Sequence, residues 1–474
     1  MLERNVLRLA AGSTVLGVVL AATAAGLAGP WDGGQRTAER DRAAARSATG
    51  GAHHGGSAAP GAAARPGPAP APVPAPSAPA VLTPLTAPAR VRAAPAPGLA
   101  GALDPLFRVP GLGAPRTAAV VDVATGRRLY EHGAAAPMPP ASTIKIATTA
   151  AALSALGPDH RLTTTVVASR DARTVTLVGG GDPTLDGSRL KALAAATAKA
   201  LRARRVTPAA LTYDTSLYEG PVRHRIGAND NIAPVTPLMT DAARLDGSVS
   251  GPAPRAADPA GETARAFARL LAAQGVKVPP APRPGRAPHE PLRLAATHSA
   301  PLSALVERTL TYSDNDLAEA LARATARATR HPAGFDGAGR AVRAQLGRLG
   351  VPLDGAVLRD GSGLDRRNRV SARLLTALLA RAADPARPEL RPVLTGLPVG
   401  GFSGTLEDRY TDGSPAAGLI RAKTGTLTGV NALAGTAVTR DGRLLAFAFL
   451  ASNTPSPYEA QPALDALATT LTTS

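Results

Sequence analysis

The sequence predicts an α/β fold of the α+β kind: a central antiparallel sheet flanked by helices, with a smaller domain or domains inserted. Apolar runs at 431–438 and 444–451 are joined by Thr439-Arg440-Asp441-Gly442. Asp-Gly between two apolar runs marks a β-hairpin. A second hairpin is read at 117–123 and 128–131, around Ala124-Thr125-Gly126. Helical patterns stand between the hairpins at 302–311 and 317–328, and a last one at 457–471.

The first helix is expected from Ser142 to the stop at Leu156-Gly157-Pro158. Beyond it, strand-like runs at 162–168 and 174–178 and a helical pattern at 190–202 belong to residues 161–280, read as the inserted domain or domains. Residues 99–160 and 281–474 then form the main domain. The run Gly179-Gly180-Gly181 lacks the Lys-Ser/Thr of a phosphate loop and reads as a turn.

The first 98 residues read differently. Arg4 and Arg8 precede a stretch from 9 to 31 that is apolar and, to Trp31, uncharged. Residues 1–31 are therefore read as a signal peptide or membrane anchor, with Ala22-Thr23-Ala24 as a possible cleavage site. Residues 32–98 are rich in Ala, Pro and Gly and read as a disordered spacer. Fully extended at polyproline rise, it reaches on the order of 200 Å.

Composition bounds the chemistry. The chain has 474 residues and no Cys, so thiol and disulfide chemistry are excluded. Its net charge is +18, which reads either as a basic solvated surface or as attraction to an anionic wall polymer or membrane surface. Aromatic residues are only 3%, and no stacking platform or basic cluster for nucleic acid is present. The His residues show no metal-ligand spacing, and no metal or other cofactor is expected.

Of 53 Lys and Arg residues only five are Lys. Arg stays protonated near neutral pH, whereas a desolvated Lys does not. A chain that prefers Arg keeps Lys where Arg fails. Lys145 stands in Ser142-Thr143-Ile144-Lys145, and Lys423 in Lys423-Thr424-Gly425-Thr426. Between them lies Ser313-Asp314-Asn315. Ser142 and Lys145 are one helical turn apart, on one face. Ser313–Asn315 falls between two helical patterns and reads as a connecting loop, with Asp314 capping the next helix. Lys423–Gly425 lies on or beside a strand of the antiparallel sheet. Gly425, lacking a side chain, is expected to let a ligand lie against that strand.

The order S-x-x-K, S-D-N, K-T-G resembles the penicillin-binding proteins and serine β-lactamases. Gly180-Gly181-Asp182-Pro183-Thr184-Leu185, Asp360-Gly361-Ser362-Gly363-Leu364, Ser403-Gly404-Thr405-Leu406 and the long insertion resemble one branch in particular. That branch is the class C low-molecular-mass penicillin-binding proteins, which are D-alanyl-D-alanine carboxypeptidases and often endopeptidases. The resemblance covers roughly 99–474.

It implies a β-lactamase/transpeptidase-like domain. It also implies peptidoglycan stem peptides as substrate and β-lactams as covalent inhibitors, outside the cytoplasm. By resemblance, Ser142 is the nucleophile and Lys145 its base, alone or with help. Ser313 relays a proton, and Asn315 holds Lys145 and the substrate amide. Lys423 supplies positive charge that keeps Lys145 deprotonated. Thr424, Gly425 and Thr426 bind substrate. A β-lactamase is the enzymatic alternative and a wall-binding relic the non-enzymatic one. No second base for deacylation is identified, and the insertion favours the peptidase. Ser362 is read as a turn residue, since Asp360 and Leu364 stand where a nucleophile elbow needs Gly.

Overall fold

The computed structural model describes residues 98–473, with residues 209 and 412 excepted. The expected anchor, and the expected spacer up to 97, lie outside the described residues. Among the described residues no helix is long and apolar enough to cross a membrane.

The main sheet has five strands: β1 (Arg116–Asp122), β2 (Arg128–His132), β8 (Ile420–Leu427), β9 (Val430–Val438) and β10 (Leu444–Ser452). Their order is β2-β1-β10-β9-β8, and every pairing is antiparallel. Both expected hairpins are present, and Lys423–Gly425 lies in edge strand β8. Alternation explains why β10 is apolar from Leu444 to Ala451. Leu445, Phe447 and Phe449 pack on one side with Phe107 and Leu464. Ala446, Ala448 and Leu450 face the other side, with Ile146, Leu310 and Leu375. A strand buried on both faces cannot alternate polar with apolar.

Helices Leu99–Phe107 and Pro457–Thr473 cover the first face. Helices Ile144–Leu156, Leu302–Thr311, Asn315–Ala328, Phe335–Arg348 and Ala372–Ala383 pack on the second. The first of these ends at Gly157 (φ 80°), as the Gly-Pro stop predicts. Its start differs from expectation. Ala141–Thr143 is a 3-10 turn and the α-helix begins at Ile144, so Ser142 sits just before it.

A second sheet contains β3 (Thr163–Ala168), β4 (Thr174–Val178), β5 (Ala210–Asp214), β6 (Arg283–Pro284) and β7 (Leu292–His298), in the order β6-β5-β4-β3-β7. Helices Gly187–Ala203 and Pro259–Ala273 share a separate core with it, built on Val166, Leu177, Leu193 and Phe267. This sheet reaches past the 281 boundary, because β7 pairs with β3 across more than a hundred residues. The half-buried pattern of β7 carries little strand signal of its own.

Candidate active site

The turn before helix Ile144–Leu156 presents Ser142, and the helix carries Lys145 on its first turn. Ala141 has φ 46°, a left-handed conformation unusual for a residue with a side chain. Ser313 is also left-handed (φ 56°). It sits in the turn between helices Leu302–Thr311 and Asn315–Ala328. Asp314 caps the second of these by accepting from the Leu317 N–H at 3.0 Å. Strained backbone just before one motif and within another marks places where the surroundings over-determine the geometry.

Lys145 is fully buried. Its Nζ donates to Ser142 Oγ at 2.9 Å, Asn315 Oδ1 at 2.7 Å and the Ser362 carbonyl at 2.6 Å. Those acceptors come from three separate stretches of chain. The Ser362 carbonyl is the partner that sequence reasoning missed. Ser362 is a turn residue, as read, but its backbone oxygen faces the motif lysine. The turn fits tightly: a Cβ on Gly363 (φ 90°) would lie 2.0 Å from the Ala141 carbonyl oxygen. Only Gly both adopts that φ and permits that approach.

Lys423 is also fully buried, and its Nζ donates to the Thr424 carbonyl at 2.8 Å. Thr424 Oγ1 donates to Thr405 Oγ1 at 2.9 Å, which brings in the Ser403–Leu406 segment. Thr426 is exposed. A cavity of about 250 Å³ is lined by Ser142, Asn231, Ser313, Asn315, Thr405 and Thr426, among others. Gly425 behaves differently from expectation. Its missing side chain faces inward, where a Cβ would meet the Pro140 carbonyl at 2.8 Å and Ala141 Cβ at 3.2 Å. The glycine admits the turn that carries Ser142.

Burial disfavours the charged form of both lysines. Burial pulls Lys145 down to about 8, against Asp360, Asp314, Glu319 and Asp316, which favour its charge. Burial pushes Lys423 well below the ordinary lysine range, with Lys145 and Arg409 adding to the effect. The expectation put the pair's charge on Lys423. Within the protein's own field, Lys145 is the better seat for it. Lys145 has three acceptors and four acidic neighbours, while Lys423 has one carbonyl.

His224, Glu319 and Asp360 bring candidate ligand atoms within 4.8 Å of one another. Their donor set is already engaged. Glu319 Oε1 accepts from the Gly361 and Ser362 N–H groups, and Oε2 from Arg323. Asp360 accepts from His224, Gly363, Asp365 and Asn368. A cation there would have to displace the Arg323 guanidinium, so the cluster fits structure rather than metal.

The chain matches the D-Ala-D-Ala carboxypeptidase 3 (S13) family over residues 99–254 and 245–472. It is 39% identical over 373 residues to carboxypeptidase DacB of Mycolicibacterium smegmatis, covering 75% of this chain and 80% of that protein. It is 30% identical over 437 residues to the D-alanyl-D-alanine carboxypeptidase of Actinomadura sp. (strain R39), covering 74% and 80% respectively. In structure it resembles penicillin binding protein 4 (dacB) of Haemophilus influenzae. That likeness has a TM-score of 0.64 and 20% identity, over 78% of this chain and 98% of the other, and speaks to fold alone. With matches this extensive on either side of the three motifs, the chain belongs to the D-Ala-D-Ala carboxypeptidase 3 (S13) family.

Proposed function

We propose that this protein is a serine D-Ala-D-Ala carboxypeptidase that cleaves peptidoglycan stem peptides through an acyl-enzyme on Ser142. The observation that carries the reading is the Lys145 ammonium held between Ser142 Oγ, Asn315 Oδ1 and the Ser362 carbonyl. Acyl transfer needs a nucleophile beside a base, and the contact of Ser142 with Lys145 supports that reading.

The steps follow from the charges. The substrate's terminal carboxylate enters beside Lys423, Thr424 and Thr426. An anion there favours the ammonium on Lys423, and so releases Lys145 as a neutral amine. Lys145 Nζ takes the proton from Ser142 Oγ as Oγ bonds to the carbonyl carbon of the penultimate D-Ala. The backbone N–H groups of Ser142 and Thr426 hold the developing oxyanion, each contributing about 3 kcal/mol. Ser313 passes the proton to the leaving amine, the C–N bond breaks, and D-Ala departs. Water then attacks the ester and frees Ser142. Asn315 orients Lys145 and the substrate amide. A β-lactam enters the same sequence and stops at the ester.

Cleavage of cross-linked peptides uses the same steps with a larger leaving group. The enzyme acts outside the cytoplasm, either secreted or anchored at the membrane through residues 1–31. The second sheet, with its own core, is the inserted domain.

Fluorescent penicillin labelling with intact mass, and D-Ala release from a muropeptide ending in D-Ala-D-Ala, test the reading. Ser142→Ala is expected to remove both signals and leave the protein folded. Labelling that survives on another residue sinks the assignment, and rapid penicillin turnover with no D-Ala release points to a β-lactamase.

A further inference from the structure

Four acidic residues act on the Lys145 charge: Asp360, Asp314, Glu319 and Asp316. Left alone, they would hold the proton on Lys145 and keep it from serving as a base. Each has a basic partner. Glu319 pairs with Arg323 at 2.8 Å and Asp316 with Arg255 at 2.8 Å. Asp314 lies 3.6 Å from Arg308. Asp360 pairs with His224 Nε2 at 2.9 Å, both side chains being almost wholly buried. Three of the four partners are arginines, whose charge is permanent. The fourth is a histidine.

We propose that His224 is a positioning residue for Lys145: as an imidazolium it neutralises Asp360, and it pins the Asp360–Gly363 turn whose Ser362 carbonyl holds the lysine amine. The inference rests on Lys145 being the base.

The geometry supports both halves. Asp360 anchors the turn by accepting from the Gly363 N–H at 2.9 Å, the Asp365 N–H at 2.6 Å and Asn368 Nδ2 at 2.7 Å. His224 comes from a different part of the chain, the segment after β5. The same segment holds the other end of the site. The Asn231 carbonyl accepts from Asn315 Nδ2 at 2.9 Å, and Asp316 Oδ1 accepts from the Ala233 N–H at 2.9 Å. Two of the three Lys145 acceptors, Asn315 and Ser362, are thus braced by one strap.

The groups facing His224 are acidic. They are Asp360, then Glu319 and Asp365, and together they raise its pKa although burial opposes the charge. Glu319 and Asp365 have their own partners in Arg323 and Arg367. Arg223 and Arg225 flank His224 in sequence but are exposed. The Phe335 ring lies edge-on at 5.1 Å. Protonation forfeits one contact, the Ile226 N–H directed at Nδ1 at 3.2 Å. A charge-assisted bond to a buried carboxylate outweighs that single long contact. Facing Lys145 from β8 is Lys423, with Arg409 beyond it.

The test is the pH dependence of Ser142 acylation by fluorescent penicillin, using the full chain between about pH 5 and pH 10. His224→Gln keeps a donor for Asp360 and loses the charge. Its acid limb is expected to move up by about one pH unit, which reads as roughly tenfold slower acylation below the limb with a near-normal plateau. Asp360→Asn removes the carboxylate, and its limb is expected to move down. A uniform loss of rate with an unmoved limb in both variants marks a purely structural role and overturns the proposal. So does failure of both variants to fold, judged by near-UV circular dichroism. If the wild-type profile has no acid limb, the base assignment falls first and this inference with it. A wild-type limb that neither variant moves removes only the role of His224.

Discussion

Replacing Lys145 by Arg preserves charge and hydrogen-bond donors, and so isolates the one property Arg lacks. The Lys145 site is fully buried and closed by acceptors at 2.6, 2.7 and 2.9 Å around one nitrogen. A planar guanidinium is larger than this seat, so overpacking costs about 1–3 kcal/mol of stability. The chemical loss is greater. Arg cannot take the Ser142 proton at any accessible pH, and general-base catalysis is typically worth about 10²–10⁴-fold. In barrier terms that is about 3–5 kcal/mol. Acylation of Lys145→Arg by fluorescent penicillin, followed by stopped-flow or quenched gel, is therefore expected to fall by two to four orders of magnitude. Its acid limb should vanish, and Tm should drop by a few degrees. Lys145→Ala is expected to be about as slow. Acylation by Lys145→Arg within tenfold of wild type would refute the role of Lys145 as base.

Three further outcomes follow from the same geometry. Wild-type acylation should rise with pH through about 8, because the reactive form is the neutral amine and burial lowers Lys145 to that value; a rate that falls across this range contradicts the assignment. Gly425→Ala places a Cβ 2.8 Å from the Pro140 carbonyl and displaces the turn bearing Ser142. Acylation should slow by about 10²-fold, as a shift near 1 Å in a reacting group does, with Tm only modestly lower; an unchanged rate would show that the turn relaxes without moving Ser142. Arg323→Met strands Glu319, which is wholly buried, and removes the guanidinium lying 4.2 Å from the Phe335 ring centroid. Denaturant unfolding should report a loss of about 3–5 kcal/mol; a loss under 1 kcal/mol would mean that the Glu319 charge is relieved in another way.

Local patterns were legible because local physics writes them. Asp441-Gly442 imposes a turn, and the apolar runs around it have no stable use except as paired strands, β9 and β10. Gly157 stops a helix because its left-handed φ suits the position after the last turn. The three motifs place their residues in one site because each motif is itself a local device. One is a helix start, one a capped turn and one an edge strand. Pattern reached less far where direction mattered more. Gly425 has the spacing of a ligand-facing residue, but strand alternation turns its missing side chain towards Ala141. Strand β7 is half-exposed along its length and needs β3 to become a strand at all.

The electrostatic support of the site was not legible, and the reason is separation along the chain. Lys145 meets the Ser362 carbonyl across 217 residues, and His224 meets Asp360 across 136. A backbone carbonyl has no residue-type signature, so nothing in Asp360-Gly361-Ser362-Gly363 announces that its oxygen faces a lysine. A histidine without ligand spacing reads as incidental. Yet the S-x-x-K motif poses a problem that it cannot solve alone. A lysine among four carboxylates stays protonated unless those carboxylates are neutralised. Any sequence that uses such a lysine as a base must carry the compensating cations elsewhere. Here they are Arg255, Arg308, Arg323 and His224, drawn from the strap after β5 and from the helices beneath the cleft. The motif places a serine beside a lysine; the protonation of that pair is a property of the whole fold.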